Sequence, residues 1–252
     1  MTGATIDLGH ADGSARPPGR ARWAGLRAAA LERAYPNADG AELLRAMVEV
    51  EFPGRIAVAS SFGAEAAVLL ALVADVDPAI PVIVLDTGKL FSETHGYIRR
   101  LTDRLGLGDV RLVRPDPERL AEADPGGTLW SRDPETCCRL RKVEPLRKAL
   151  EPFEAWVSGR KRLHGEARAA TPTIGAVDGH VVVSPLARWT QTRIDAVFAE
   201  RALPRHPLAF EGYTSIGCRP CTRPVEAGAG PRAGRWPGTE KTECGIHRPA
   251  LF

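Results

Sequence analysis

Residues 54–76, GRIAVASSFGAEAAVLLALVADV, restrict the fold more than any other part of the chain. The segment opens with a short apolar run that predicts a strand at residues 56–59. A turn of small residues follows at 60–63, and the apolar run from 64 to 74 has the length of a helix. A buried strand that leads through a tight turn into a buried helix is typical of α/β proteins.

The same pattern returns along the chain. IPVIVLDTG, DVRLVRP, AWVSG and VVVSPLA predict further strands. Amphipathic helices are predicted for SETHGYIRRLTDRLG, with Ser92 as N-cap, for RLRKVEPLRKALE, with a kink or break at Pro145, and for TQTRIDAVFAERA. We therefore expect an α/β fold with a mostly parallel, twisted sheet flanked by helices. Ligands of such folds bind beyond the carboxyl ends of the strands, where SSFG, LDTGK and SGRKR fall.

The 252 residues suit one large domain with appended segments. Residues 1–20 are rich in Gly, Pro, Asp and Arg, and we expect them to be disordered. Residues 21–222 are predicted to form the α/β domain, with a helical lead-in at 21–52. Residues 223–252 lack apolar periodicity, which indicates a mobile C-terminal segment.

Composition excludes several classes of protein. The net charge of +3 is too small for a nucleic-acid coat. No window approaches 18 consecutive apolar residues, and the first residues lack the apolar core of a signal peptide. We expect a cytoplasmic protein with no membrane or nucleic-acid partner.

The five cysteines are an odd number, which in a reducing compartment favours metal binding or thiol chemistry over disulfides. Cys218 and Cys221 form a C-x-x-C motif, and Cys137 and Cys138 are adjacent. Together these four thiols could bind zinc or an iron–sulfur cluster. The adjacent pair can reach one small site only at a helix end or bend, and a cluster with separate iron corners accepts such a pair more readily than one ion does.

Basic residues follow the adjacent cysteines. Arg139, Arg141 and Lys142 would favour thiolates and balance a negatively charged cluster, although a solvated basic helix face would look similar. Cys244 stands apart in KTECGIH, between Lys241 and His247. A thiol near cations is a candidate nucleophile, while the alternative is an unreactive cysteine in the tail.

CCRLRKVEPL, GYTSIGCRPCTRPV, GRW and KTECGIH, in this order, resemble assimilatory adenosine 5′-phosphosulfate (APS) reductases of the iron–sulfur type. The resemblance covers residues 55–247. It implies an adenine nucleotide alpha-hydrolase-like fold with a modified PP-loop. It also implies reduction of APS to sulfite and AMP by thioredoxin, on the route from sulfate to cysteine, and it allows a homo-oligomer.

The resemblance assigns roles to particular residues. Cys137, Cys138, Cys218 and Cys221 match ligands of a 4Fe–4S cluster, while Cys244 and His247 match the catalytic ECG[LI]H motif. The matching substrate-binding residues are Ser60, Ser61, Gly63, Asp86, Thr87, Gly88, Lys142, Lys161, Arg162, Arg168, Arg232 and Arg235.

The chain departs from the family pattern at two places. Lys161 stands where Arg is usual, so a bidentate donor is lost there. LHGEAR replaces the residues that commonly precede Arg168. Both changes bear on the anion contacts rather than on the reaction.

The sequence leaves three alternatives open. The four-cysteine set favours APS over its 3′-phosphorylated form, PAPS, but use of PAPS or of both remains an alternative. A PP-loop ATP pyrophosphatase that modifies tRNA would need an S-G-G-x-D-S loop, which SSFGAEA lacks. A non-catalytic zinc or iron–sulfur module would leave Cys244 and the nucleotide loop without a role.

Overall fold

The structure is a computed structural model that describes residues 19–226 and 228–248. Most of the segment predicted to be disordered, and the last residues of the predicted mobile segment, lie outside them. In the described part, no helix is long and apolar enough to cross a membrane.

One six-stranded sheet organises the described residues, in the order β3-β2-β1-β4-β6-β5. All pairs are parallel except β5 with β6. The strands are β1 (Ile56–Ala59), β2 (Val82–Leu85), β3 (Val110–Val113), β4 (Ala155–Ser158), β5 (Ile174–Val177) and β6 (His180–Val183). The predicted α/β class and mostly parallel sheet are confirmed.

The helices flank the sheet. They are α1 (Arg20–Ala34), α2 (Gly40–Arg45), α3 (Ala66–Val76), α4 (Ser92–Leu105), α5 (Pro117–Ala123), α6 (Leu129–Arg132), α7 (Pro134–Cys138), α8 (Glu144–Leu150), α9 (Glu166–Ala169) and α10 (Gln191–Glu200). Of these, α1, α2, α3, α4, α8 and α10 match the predicted segments with small shifts at their ends, whereas the short helices α5, α6, α7 and α9 were not predicted. Single π-helical turns, Ala46–Glu51 and Arg139–Val143, extend α2 and join α7 to α8.

Burial explains the helix compositions. α3 is apolar almost throughout because every residue from Ala67 to Val73 is buried. α4 buries only Thr94, Tyr97, Ile98 and Leu101, whose spacing places them on one face. The main core lies between these helices and the sheet.

Two details differ from the sequence prediction. Ser92 is the first residue of α4 and not its N-cap, which is Phe91; the Ser92 hydroxyl instead donates to the Glu93 carboxylate. Strand β5 was not predicted. It pairs with β6 through Asp178 and Gly179, which both have positive φ, and this backbone is that of a type I′ hairpin turn.

Pro145 lies at the start of α8, and the predicted break is the π-helical turn before it. Proline has no N–H to donate, and its ring crowds the carbonyl four residues earlier. An extra residue in the preceding turn relieves this conflict without ending the helix. Cys137 and Cys138 are the last two residues of α7, directly before this π-helical turn.

Candidate active site

The predicted nucleotide loops meet at one edge of the sheet. β1, β2 and β4 are neighbours and run parallel, so the residues that follow them lie at the same carboxyl edge. After β1, the chain places β2 and then β3 on one side of it. It then crosses to the other side of β1, where it places β4 and β6. The crevice between β1 and β4 is therefore a topological switch point, where α/β sheets bind ligands.

The loop after β1 has a tightly constrained backbone. Phe62 is fully buried with a φ of 47°, a conformation that costs free energy in a residue other than glycine. The Ser60 hydroxyl accepts a hydrogen bond from the Phe62 N–H at 3.2 Å. A Cβ on Gly63 would lie 3.2 Å from the Ile216 carbonyl oxygen, so the loop packs closely against the segment that leads to Cys218. Ser61 is exposed at the crevice.

The turn after β2 connects the nucleotide edge to the cysteines. Asp86 is buried and forms an ion pair with Arg114 at 3.0 Å, and its carboxylate also accepts the Gly88 N–H. The Thr87 hydroxyl lies 3.2 Å from the Cys218 sulfur. The turn after β2 would thus contact both a ligand in the crevice and a metal group bound to Cys218.

Four thiols line one small cavity. Cys137 and Cys138 come from the end of α7, and Cys218 and Cys221 flank a 3₁₀ turn. All four are buried. The other lining residues are Lys89, Trp130, Pro134, Arg141, Lys142, Pro220 and Trp236. Within residues 19–226 and 228–248, no group of three or more His, Cys, Asp or Glu side chains is arranged to hold a metal ion.

The donor chemistry of this cavity fits an iron–sulfur cluster. The four buried thiols are the number of cysteine ligands that such a cluster takes, and Lys89, Arg141 and Lys142 on the cavity wall would balance its negative charge. Burial raises the pKa of Cys138 to about 11 and also raises that of Cys137. Burial would raise the pKa of Cys218 too, but Lys142 and the Thr87 hydroxyl lower it overall.

Lys142 lies between the cysteines and the tail. Burial alone would lower its pKa, but the thiol groups of Cys218, Cys244 and Cys138 raise it, so the ammonium form is favoured. One cation therefore faces two of the four clustered thiols and the thiol of the tail. This position suits charge balance at both places.

A buried ion pair braces the cavity wall. Arg141 donates to Asp124 at 2.7 Å and to the Thr87 carbonyl at 2.8 Å. Both side chains are almost completely buried. The pair therefore ties the helix that carries the adjacent cysteines to the turn after β2. Asp124 was not predicted, because an acidic residue in a short linker carries no sequence signal of its own.

Trp236 organises the start of the tail. It is buried against Cys218 and Cys221, and Arg232, Arg235 and Lys241 lie over its ring at 4.5–5.7 Å from the centroid. The Arg235 guanidinium lies directly over Gly217. A Cβ at that position would lie 2.3 Å from the guanidinium.

Cys244 is partly buried and packs beside Trp236, against the cluster cysteines. Its neighbour Glu243 forms ion pairs with Arg168 and with Arg232. Burial would raise the pKa of Glu243, but these arginines lower it to about 2, so the carboxylate stays charged. Arg168 thus ties the tail to the domain next to Cys244, and Arg232 pairs with Glu243 within the tail.

His247 anchors the tail to the sheet. Its ring stacks on Trp156, with centroids 4.9 Å apart, and its Nε2 lies 3.2 Å from the Ser158 hydroxyl at the end of β4. Burial, together with Arg160 and Arg168, lowers its pKa to about 3, so the imidazole is neutral near pH 7. These contacts hold the tail residue His247 against the end of β4.

The basic residues of the SGRKR loop and the following segment point in different directions. Lys161 is buried, and its Nζ lies 2.9 Å from the Glu65 carboxylate rather than beside the tail. Arg162 is exposed and donates to the Thr171 carbonyl at 2.9 Å. Of the three basic residues predicted here, only Arg168 reaches Arg232 and the tail.

Sequence reasoning missed Arg160, Glu243 and Trp236 as site residues. Arg160 precedes Lys161 and Arg162, the two residues of this loop that the resemblance assigns to substrate binding. Glu243 is negatively charged, which does not suit a site expected to bind an anion. Trp236 stands in the recognised GRW motif, but nothing in the sequence shows that three cations gather on its ring.

Residues 55–224 match the sequence profile of the phosphoadenosine phosphosulfate reductase domain. The chain belongs to this reductase family. An adenosine 5′-phosphosulfate reductase of Mesorhizobium japonicum is 44% identical over 225 residues, which are 89% of each chain. One of Chelativorans sp. is 49% identical over 198 residues, covering 79% of this chain and 81% of the relative.

Solved structures agree with the fold of the reductase family. The phosphoadenylyl-sulfate reductase of Candida auris superposes with a TM-score of 0.65 at 25% identity, over 78% of this chain and 96% of its own. An FMN adenylyltransferase of Candida glabrata superposes with a TM-score of 0.52 at 15% identity, over 75% and 68% of the two chains. The second likeness shows the fold alone.

Proposed function

We propose that this reductase-family member reduces adenosine 5′-phosphosulfate to sulfite and AMP, with thioredoxin as the electron donor. The observation that carries the proposal is the position of Cys244, which packs against the group formed by Cys218, Cys221 and Trp236, while Lys142 lines the cavity of the four thiols. Relatives that cover most of this chain carry the same activity in their names. The reaction makes the chain an oxidoreductase acting on sulfur in sulfate assimilation.

The substrate fits the carboxyl edge of the sheet. We propose that the adenosine lies in the crevice bounded by the turns after β1 and β2, with Ser60, Ser61, Gly63, Thr87 and Gly88 at its walls. The phosphosulfate would then face Lys142, Arg168, Arg232 and Arg235. Guanidinium groups suit this end because they form paired hydrogen bonds with phosphate and sulfate oxygens.

Cys137, Cys138, Cys218 and Cys221 would hold a 4Fe–4S cluster. When bound, the cluster supplies fixed charge and architecture beside the substrate and joins α7 to the C-x-x-C segment. Lys142 would couple the cluster site to the nucleophile electrostatically, because it interacts with Cys138 and Cys218 of the cavity and with Cys244 of the tail.

In the first step, the Cys244 thiolate attacks the terminal sulfur of the substrate. The bond between that sulfur and the bridging phosphate oxygen breaks, and AMP leaves with its electron pair. Cys244 then carries an S-sulfonate group. Lys142 and the arginines around the tail would stabilise the negative charge on the leaving oxygen.

In the second step, a thioredoxin thiolate attacks the Cys244 sulfur. Sulfite leaves with the electron pair of the sulfur–sulfur bond, and a mixed disulfide forms. The second thioredoxin cysteine resolves it, which oxidises thioredoxin and restores the Cys244 thiol. The tail must undock for this step, so we propose that residues 223–252 act as a mobile arm.

The test is intact mass spectrometry of anaerobically purified protein mixed with APS and without thioredoxin. The parent should gain the mass of one SO₃ group, and thioredoxin should then release sulfite. A Cys244→Ser variant, which changes one atom, should gain nothing. Parallel reactions with PAPS measure the preference for the 3′-hydroxyl. A protein that keeps its iron but forms no adduct with either nucleotide would contradict the proposed reaction.

A further inference from the structure

The loop after β4 contains a cation that the reductase motif does not account for. Arg160 directly precedes Lys161 in the SGRKR loop. Lys161 is held in the ion pair with Glu65, so it does not face the tail. Lys161, which was expected to bind an anion, is therefore neutralised by Glu65. The role of the neighbouring cation, Arg160, remains to be explained.

Arg160 lies beside the tail anchor. It follows Ser158 by two residues, and its backbone N–H donates to the Ser158 hydroxyl at 3.4 Å. The same hydroxyl contacts the His247 ring at 3.2 Å. Arg160 thus extends from the point where the end of β4 and the tail meet.

The Arg160 side chain has unused hydrogen-bonding capacity. Its Nε is buried and has no hydrogen-bond partner in the part of the chain that the structure describes. Nor does the guanidinium form an ion pair with any carboxylate there. Nearby Glu243 has its ion pairs with Arg168 and Arg232. An incompletely bonded guanidinium at a partly buried position is costly unless a ligand completes its contacts.

The charges around Arg160 identify its neighbours. Burial lowers the pKa of Arg160 and the nearby Arg168 lowers it further, whereas Glu243 and Cys244 raise it. The Ser158 hydroxyl contacts both the Arg160 N–H and the His247 ring, so Arg160 lies beside the tail segment that carries Cys244, the proposed nucleophile. A cation beside the tail would lie near the sulfur that Cys244 attacks, at the end of the substrate away from the adenosine.

We infer that Arg160 binds the sulfonate oxygens of the substrate and, after transfer, the S-sulfonate group on Cys244. The inference rests on the proposed function and adds a specificity-determining residue to it. Arg160 supplies the guanidinium donors that Lys161 does not offer at this loop. The contact discriminates nucleotides by the anion beyond the first phosphate, not by the adenosine.

Binding of ADP and AMP tests the inference without turnover. The terminal phosphate of ADP stands in for the sulfonate, and AMP lacks that group. Calorimetry on the full-length, cluster-loaded protein gives the ratio of the two dissociation constants. In Arg160→Leu we expect the preference for ADP over AMP to fall about tenfold, with AMP affinity almost unchanged. Arg160→Lys should lie between the parent and the leucine variant.

Arg99→Leu is the matched control, since it removes an exposed arginine from α4. It should keep the parental ratio, which excludes an effect of net charge alone. Arg160→Gln provides a second variant in case Arg160→Leu does not fold, and it should also lose the preference. An unchanged ratio in a folded Arg160 variant overturns the inference and leaves the reductase reaction intact. If the parent protein binds neither nucleotide and forms no S-sulfonate adduct, the proposed function fails and the inference fails with it.

Discussion

Lys161 Nζ lies 2.9 Å from a carboxylate oxygen of Glu65, and His164 Nε2 lies 3.0 Å from the same oxygen. The contact joins the loop after β4 to the residue that precedes α3. It therefore fixes the two walls of the crevice between β1 and β4 relative to each other. Burial would raise the pKa of Glu65, but His164 and Lys161 hold it well below its usual range.

Removing the Lys161 ammonium should destabilise the protein. In Lys161→Met the Glu65 carboxylate keeps His164 and the Gln191 amide, and breaking one partner of a buried pair costs about 3 kcal/mol of unfolding free energy. Urea denaturation measures the loss. Adding Glu65→Gln should recover part of it, because the unpaired charge is then gone. A double variant no more stable than Lys161→Met would mean that the pair contributes nothing beyond packing.

Glu243 should control how tightly the tail is docked. Glu243→Gln removes the charge that pairs with Arg168 outside the tail, and loss of such a charge-assisted contact shifts an equilibrium by about tenfold. Cys244 should therefore react several times faster with iodoacetamide, as measured by mass spectrometry of its peptide. Glu240→Gln is the matched control, since Glu240 is exposed on the same tail and has no ion pair among the described residues. Equal alkylation rates in all three proteins would rule out the docking role.

His206 should make folding stability depend on pH. The ring is buried, with Nε2 3.0 Å from the Thr94 hydroxyl and its centroid 5.0 Å from that of Tyr97. Burial lowers its pKa to about 4, whereas an unfolded chain has a histidine pKa of about 6.5. Between these values the unfolded state binds the additional proton, so stability falls as the pH drops from about 6.5 to 4.

The contribution of His206 is measured by comparing unfolding free energies at pH 7.5 and pH 5. The parent should lose more stability than His206→Gln, with a difference of about 1 kcal/mol after allowance for solvent screening. Parallel losses in the two proteins would assign the pH dependence to other groups.

The four buried cysteines should act as one set. Cys221→Ser removes one thiol from the cavity, and we expect it to lose most iron and acid-labile sulfide and the visible absorption of a 4Fe–4S cluster. Cys244→Ser should keep all three, because Cys244 is the proposed nucleophile and not a ligand. Zinc in place of iron and sulfide in the parent would contradict the cluster assignment.

Local patterns were enough to predict the parallel part of the sheet. Its strands are short apolar runs with small or polar residues at their ends. This local pattern predicts a strand regardless of where the strand lies in the sheet. The hairpin of β5 and β6 was missed although Asp178 and Gly179 are a strong turn signal. The helix start at Ser92 was misassigned because the residue type suits an N-cap, while its hydroxyl bonds to Glu93 instead.

The contacts of the tail could not be predicted from local patterns. Arg168 and Glu243 are 75 residues apart, and nothing near either one indicates the other. The sequence identifies Lys161 as a basic residue near an anion site, but only the fold brings Glu65 close enough to neutralise it. Residue types therefore predicted which groups bear charge, and tertiary packing decides which of them remain available to a ligand.

The π-helical turn Arg139–Val143 also sets the rotational phase of the helix that carries the site. Each residue of a regular α-helix turns the chain by about 100°, so removing one residue here would rotate everything beyond it by that angle. Cys137 and Cys138 lie before the turn, and Lys142 lies within it. A single deletion would leave every proposed ligand in the sequence and still point Lys142 away from the thiols, which makes the length of this segment as important as its composition.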